Sequence, residues 1–356
     1  MSRPDPKEVF GRRLEQARKM RGLSLRALAD AAGGRVSYNA LHRYERGEMM
    51  PGDEVLIAVA DALDKPLDFF FQPFSVELSG VQFRKKMKLP AKLEDSIKEQ
   101  ALDFFERYIE IEQVLGLPNK FKSPLEGISV TEPAQAESAA EKVRDAWKLG
   151  RGPLPNVFEM LDSNGIKSMA VDAPASFDGF SGWADGHPIV VVGKWLDRDL
   201  PRKRFTTLHE IAHILIHPDD VTERKEREKC CHRFAGAMLM PRKAFETEWG
   251  GFRRRISLEE LKDLKRRWGM SIAAMMLRAN ELGLLDPPLY QRFLIAYKAK
   301  GWHRGEPGAY PGVEVSHRFE QLVLRAASEN LITMSKAAAL LNQPQADLRN
   351  LLSDFA

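Results

Sequence analysis

At 356 residues, 44% hydrophobic and 29% charged, the chain has a globular composition with room for two or three domains. No apolar run approaches the roughly eighteen residues of a membrane span, and the N-terminal MSRPDPKEVFGRRLEQARK lacks the apolar core of a signal peptide, so a cytoplasmic, non-membrane protein is expected. The only cysteines, Cys230 and Cys231, are adjacent and ill placed for a structural crosslink, which suits a reducing compartment.

The net charge of +4 is too mild to identify a nucleic-acid binder, but its distribution is informative. Residues 1–46 hold 11 Lys/Arg against 5 Asp/Glu, whereas residues 47–75 hold 1 against 6, as expected of a domain with one face toward phosphate. Residues 7–71 read as five short helices. Val9, Leu14, Ala17 and Met20 give the first an apolar face, and Ser24 caps a second carrying Leu25, Leu28 and Ala29. Gly33-Gly34 make a turn, Ser37 caps a third helix from Tyr38 to Glu45, Pro51-Gly52 open a fourth through Leu63, and Pro66 a fifth through Phe70. Two helices joined by a Gly-containing turn, the second with a polar exposed face, form the helix-turn-helix pattern. On LEQARKMRGLSLRALADAAG, VSYNALHRYERGEMMP and LIAVADALDKPLDFFF, the stretch resembles the Xre-type (phage-repressor-like) helix-turn-helix family. The resemblance implies a double-stranded DNA operator, Tyr38, Asn39, His42 and Arg43 facing base edges, Ser24 gripping phosphate, and a homodimer on paired half-sites. The turn GGRV is about two residues longer than the family's.

Beyond an apolar-alternating piece from Ser75 to Val81, the basic run Phe83-Arg84-Lys85-Lys86-Met87-Lys88 could touch DNA and reads better as a solvated linker. Residues 91–115 form a long amphipathic helix, with Ile97, Ala101, Phe104, Phe105, Tyr108, Ile111 and Leu115 as a core stripe or a dimer surface. Gly116 to Pro124 is a boundary by composition. Helices over Glu132–Leu149 and Pro155–Asn164 precede three strands, Ile166–Val171, Phe177–Trp183 and Pro188–Val192. Ile189–Val192 is open to two readings: a sheet edge along which a peptide lies, or an interior strand.

The segment RFTTLHEIAHILIH, from Arg204 to His217, carries His209-Glu210-Ile211-Ala212-His213 on a helical apolar repeat. Residues four apart share a helix face, so His209 and His213 can hold one ion, with Glu210 placed to act on its water. A catalytic zinc needs a third protein ligand. His217 lies two turns from His209, about 12 Å along the helix, too far for the same ion. The pattern H-E-x-x-H-x-x-G-x-x-H fails because Ile216 and Asp219 stand where Gly and His are required, although Asp219 or Asp220 could still supply a ligand. EREKCCHRFAGAMLMP reads as a second helix packing on the first. Its Glu228 would complete a His-His-Glu set, with Glu223, Glu226, Cys230, Cys231 and His232 competing on composition alone.

From about Glu137 to Pro288 the chain resembles the ImmA/IrrE family of metallopeptidases. The matching residues are Arg204-Phe205-Thr206, His209, Glu210, His213, Glu228, Phe234-Ala235 and Leu239-Met240-Pro241, followed by LKRRWGMSIAAMMLRANELGLL. His232 and Met238 depart from the family's usual Asn and Leu. The resemblance implies metal ligands His209, His213 and Glu228, Glu210 as catalytic acid/base, and a helix-turn-helix repressor as substrate; apart from it, His217 at the helix end and His232 one turn after Glu228 are candidates to back the ligands, and two His and one Glu accept zinc or else manganese. A catalytic oxyanion donor is unnamed, with His187, His232 and Tyr or Arg groups as candidates. Downstream, Leu258–Arg267 and Ser271–Leu282 read either as a packed helix pair or as a second DNA contact through Arg253, Arg254, Arg255, Lys262, Lys265, Arg266 and Arg267. Tyr290–Lys300 is helical, Gly301–Gly312, with two Pro and four Gly, is a loop, and Val315–Asn330 and Ser335–Leu352 are helical.

The expectation is a mainly α protein with a small β-sheet (α+β): a five-helix helix-turn-helix domain at 1–73, a helical linker at 74–125, a zincin-like metallopeptidase domain at 126–250 and a helical C-terminal region at 251–356. Its expected function is a DNA-binding transcriptional regulator with a zinc-dependent, gluzincin-like endopeptidase that cleaves a repressor, or its own chain between residues 75 and 125, in a stress or mobile-element response. The rival is a non-proteolytic transcription factor whose metallopeptidase-like domain senses a ligand, metal or partner.

Overall fold

The computed structural model describes residues 5–83, 89–216 and 223–348, so His217, Asp219, Asp220 and the basic run at 84–88 lie outside the described residues. In chain order, helices α1 (Pro6–Met20), α2 (Leu25–Ala31), α3 (Tyr38–Glu45) and α4 (Asp53–Leu63) precede a 3-10 turn (Leu67–Phe71), strand β1 (Leu78–Phe83) and the long α5 (Ala91–Val114). Next come α6 (Pro133–Ala146), α7 (Val157–Ser163), β2 (Lys167–Val171), β3 (Gly179–Ala184) and β4 (His187–Gly193). They are followed by α8 (Leu200–Leu215), α9 (Arg224–Leu239), α10 (Arg242–Trp249), α11 (Leu258–Trp268), α12 (Ile272–Glu281), α13 (Pro287–Ala299), α14 (Arg318–Ser328) and α15 (Met334–Leu341). The fold is mainly α with one small sheet. The fifth short helix expected after Pro66 is 3-10 rather than α.

The described residues form two compact units, one of 5–79, 89–118 and 318–348, the other of 80–83, 119–216 and 223–317. In the first, Phe10, Leu14, Leu28, Leu41, Val59, Leu63 and Phe70 make the core under α1–α4. Buried Arg13 reaches Glu106 of α5 at 2.7 Å and donates to the carbonyls of Gln72 and Pro73. This satisfies a guanidinium that would otherwise be costly to bury. The stripe on α5 is core: Tyr108 and Ile111 pack with Val323 and Ala326 of α14 and Leu340 of α15.

In the second unit a four-stranded sheet has the order β1-β3-β4-β2. β3 and β4 are antiparallel, joined at Ala184↔His187 by Asp185 and Gly186. Both turn residues have positive φ (45° and 73°), the backbone of a tight hairpin favoured by Asp-Gly. β2 runs parallel to β4. Ile189–Val192 is therefore an interior strand, hydrogen-bonded on both sides and closed to an incoming peptide. The core runs from Val190 and Val192 of β4 through Leu208, Ile211 and Leu215 of α8 to Phe234 and Met238 of α9, and on to Leu261, Trp268, Met275 and Met276.

α11 and α12 are thus a packed pair, each with an apolar face in this core. Ser257 and Glu260 form a reciprocal cap at the start of α11. The basic groups weighed as a DNA contact are largely neutralised by neighbours. Arg253 pairs with Glu260, Lys262 with Glu259, Lys265 with Glu306, and Arg266 and Arg267 with Asp263. The loop after α13 is anchored to its own unit by buried charge. Glu306 accepts from the backbone of Ile272 and Ala273 at the start of α12, and Glu314 pairs with Arg204 of α8 and accepts from Val157 N at 2.8 Å.

Candidate metal centre and nucleic-acid interface

α8 begins with Asp199 as N-cap and Pro201 in its first turn, and its apolar face lies on β3, β4 and α9. This fixes the direction of the next turns. His209 and His213 project from the side that meets α9, with Nε2 atoms 3.2 Å apart. α9 supplies Glu228, whose Oε2 is 3.2 Å from His209 Nε2 and whose Oε1 is 3.8 Å from His213 Nε2. Donor atoms of the three residues all lie within 4.8 Å of one another. Ligands about 2.0–2.1 Å from a tetrahedral zinc stand about 3.4 Å apart, so this spacing fits one ion. Among the described residues no other group of His, Cys, Asp and Glu meets the same criterion. Of the competitors for the third position, Glu228 is the one brought to both histidines.

The centre is shielded on one side and open on the other. His209 is fully buried, while the side chains of His213 and Glu228 are 14% and 33% exposed. Glu210, fully buried, turns toward β3, where Ser181 Oγ lies 3.3 Å from Oε2 and donates to it. Gly179 on the same strand leaves space for that carboxylate. A methyl group there would stand 2.9 Å from the Val191 carbonyl oxygen and 3.3 Å from Glu210 Cγ. β3 thus orients the acid/base candidate that α8 carries.

His232 also comes to the centre. Its ring is 4.5 Å from that of His209 and stacks on Phe205 at 5.7 Å, centroid to centroid. His187 does not. Its Nδ1 bends onto the carbonyls of Asp185 and Ala184 in its own hairpin, five residues along the strand pair from Gly179, roughly 16 Å. His217 lies outside the described residues. Sequence reasoning missed two contributors. One is Ser181, an ordinary strand residue whose only sequence signal is its alternation with Gly179. The other is the place of Cys231, which the sequence offered only as a competing third ligand: its Sγ is 3.5 Å from His213 Nδ1, and its position three residues after Glu228 was the available clue.

In the first unit, Ser24 and Ser37 accept the backbone N–H of Ala27 and Ala40 and so cap α2 and α3. The turn between these helices spans residues 32–37, with Gly33 and Gly34 at φ 67° and 70°. Val36 buries inside that turn, and Leu41 and Tyr44 anchor α3 from below. The opposite face of α3 exposes Tyr38, Asn39, His42 and Arg43 together, positions one helical turn apart in pairs. Arg26 lies over the Tyr38 ring at 5.7 Å, and Arg43 meets Glu48 at 3.3 Å. Ser24 is exposed at the N-terminus of α2.

Comparison with known families agrees with this division. Residues 14–70 match the model described as "Helix-turn-helix", and residues 163–280 match the peptidase-family model described as "IrrE N-terminal-like domain". A search of curated proteins returned no match. Among solved structures, the apo form of ComR from S. thermophilus aligns with 98% of this chain and 99% of its own at 14% identity, with a TM-score of 0.17 that carries no argument. The chain therefore joins an Xre-type helix-turn-helix domain to an ImmA/IrrE-like peptidase-family domain in one polypeptide.

Proposed function

We propose that this chain is a DNA-binding regulator whose second unit is a metal-dependent endopeptidase acting on a helix-turn-helix repressor or on its own chain. The observation that carries the reading is the convergence of His209, His213 and Glu228, with donor atoms within 4.8 Å, next to a buried Glu210 held by Ser181. Two imidazoles and a carboxylate suit zinc, and manganese accepts the same set. When bound, the ion supplies a Lewis acid and brings water toward ionisation near neutral pH. Glu210 takes the proton of the attacking water and returns it to the leaving amine nitrogen. Ser181 keeps the carboxylate aimed, and the buried side formed by His209 and α8 excludes bulk water from the proton transfer. The exposed side, where Glu228 stands, admits the peptide. Tyr38, Asn39, His42 and Arg43 read the operator as part of a homodimer, with Ser24 at phosphate.

The test is incubation of the full-length, metal-loaded protein with a panel of purified helix-turn-helix repressors, followed by intact mass of every chain present. The reading predicts cleavage of a repressor or of this chain, reduced by at least about a hundredfold in the Glu210→Gln variant. Metal-loaded protein that binds operator DNA and cleaves nothing would instead support the non-proteolytic sensor.

A further inference from the structure

We propose that Cys231 is a positioning residue of the metal centre, its sulfur standing behind His213 and fixing which ring nitrogen faces the ion. The proposal rests on the reading of His209, His213 and Glu228 as ligands. Cys231 Sγ is 3.5 Å from Nδ1 of His213. The other nitrogen of that ring, Nε2, points to His209 Nε2 at 3.2 Å and to Glu228 at 3.8 Å. An imidazole that offers Nε2 to an ion carries its proton on Nδ1, and the partner of that N–H sets the tautomer and the ring orientation. In many metal sites this partner is a carboxylate or a backbone carbonyl. Here sulfur occupies the place. Cys231 is fully buried, so its sulfur meets the ring without competition from bulk water.

The helix makes the arrangement economical. Glu228 and Cys231 are three residues apart on α9, so one turn presents the third ligand and the group behind the second ligand on one face. Cys230, also buried, points about 100° away around the helix axis and serves as an internal control. A thiolate bonded directly to the ion is a different arrangement, and the two are separable by spectroscopy.

The experiment measures zinc affinity by competition with a chromophoric chelator for the full-length wild type and the Cys231→Ala, Cys231→Ser, Cys230→Ala and His209→Ala variants. The wild type and Cys231→Ala are also loaded with cobalt(II). Loss of the sulfur weakens zinc binding about tenfold to a hundredfold in Cys231→Ala. Cys231→Ser, whose oxygen also accepts from Nδ1, restores most of that affinity, and Cys230→Ala leaves it unchanged. The cobalt protein shows the visible bands of a nitrogen–oxygen site and no near-ultraviolet thiolate-to-cobalt charge-transfer band. Three results overturn the proposal: unchanged affinity in Cys231→Ala, equal loss in Cys231→Ser, or a charge-transfer band that vanishes with Cys231 and marks it as a ligand. Wild type that takes up no metal, or takes it up as well as His209→Ala does, overturns the ligand assignment itself and the proposal with it.

Discussion

Glu314 and Arg204 form an ion pair with no solvent exposure on either side chain, and the Tyr310 hydroxyl oxygen accepts from the same guanidinium at 3.0 Å. Burial pushes the Glu314 carboxyl above its ordinary value of 4.5, outweighing the attraction of Arg204 and the hydrogen bond from Val157. The sign of the pH effect follows. The folded state holds the Glu314 proton more tightly than the unfolded chain does, so the group's contribution is full below about pH 4.5 and is lost as pH rises through the folded value. Urea titrations from pH 4 to 7 are expected to show wild type losing stability relative to Glu314→Gln as pH rises. A difference that grows in the wild type's favour would mean that the charge pair dominates its own desolvation. The functional side of this residue pair was half legible: Arg204 belongs to the motif before His209, but its partner lies 110 residues on in a stretch without periodicity. Such a contact is made by tertiary packing, which no local pattern records.

α3 and α8 are the elements that the sequence marked most clearly, for the same reason. α3 combines the capping residue Ser37 with an apolar repeat, and α8 was marked by the apolar repeat from Arg204 around His209 and His213, its Asp199 cap going unread. The exposed side chains of α3 then follow from the helical period, and on them rests an expectation at this scale. Asn39→Ala and Arg43→Ala should each weaken specific operator binding by about 1–3 kcal/mol per lost base contact, while leaving metal content unchanged. Electrophoretic mobility shifts at fixed salt measure it, and wild-type affinity in both variants would remove α3 from the base-reading role. β2, β3 and β4 were legible as strands, yet the order of the sheet was not, and β1 fell across an alternating piece and the linker expected after it. Val190, Val191 and Val192 are consistent with an edge or an interior strand, and only the pairing of β4 with β2 and β3 places them inside. The basic face of α11 was likewise open to two readings, since its partners Glu248 and Glu306 come from other segments and only Asp263 from α11 itself.

At the scale of the whole molecule, the helix-turn-helix unit and the peptidase-family unit each have a core of their own, and the chain returns to the first unit after His317. That return was invisible in the sequence because α14 and α15 carry ordinary amphipathic patterns that name no partner. No helix among the described residues is long and apolar enough to cross a membrane. The proposed activity of the second unit depends on His209, His213 and Glu228 holding a metal ion beside Glu210. Its most direct test is metal content per chain by elemental analysis of wild type, His209→Ala, Glu228→Ala and Glu210→Gln purified in parallel. One ion per chain is expected in wild type and in Glu210→Gln, and its loss in His209→Ala and Glu228→Ala. A full complement of metal in Glu228→Ala, or none in wild type after exposure to zinc, would contradict it.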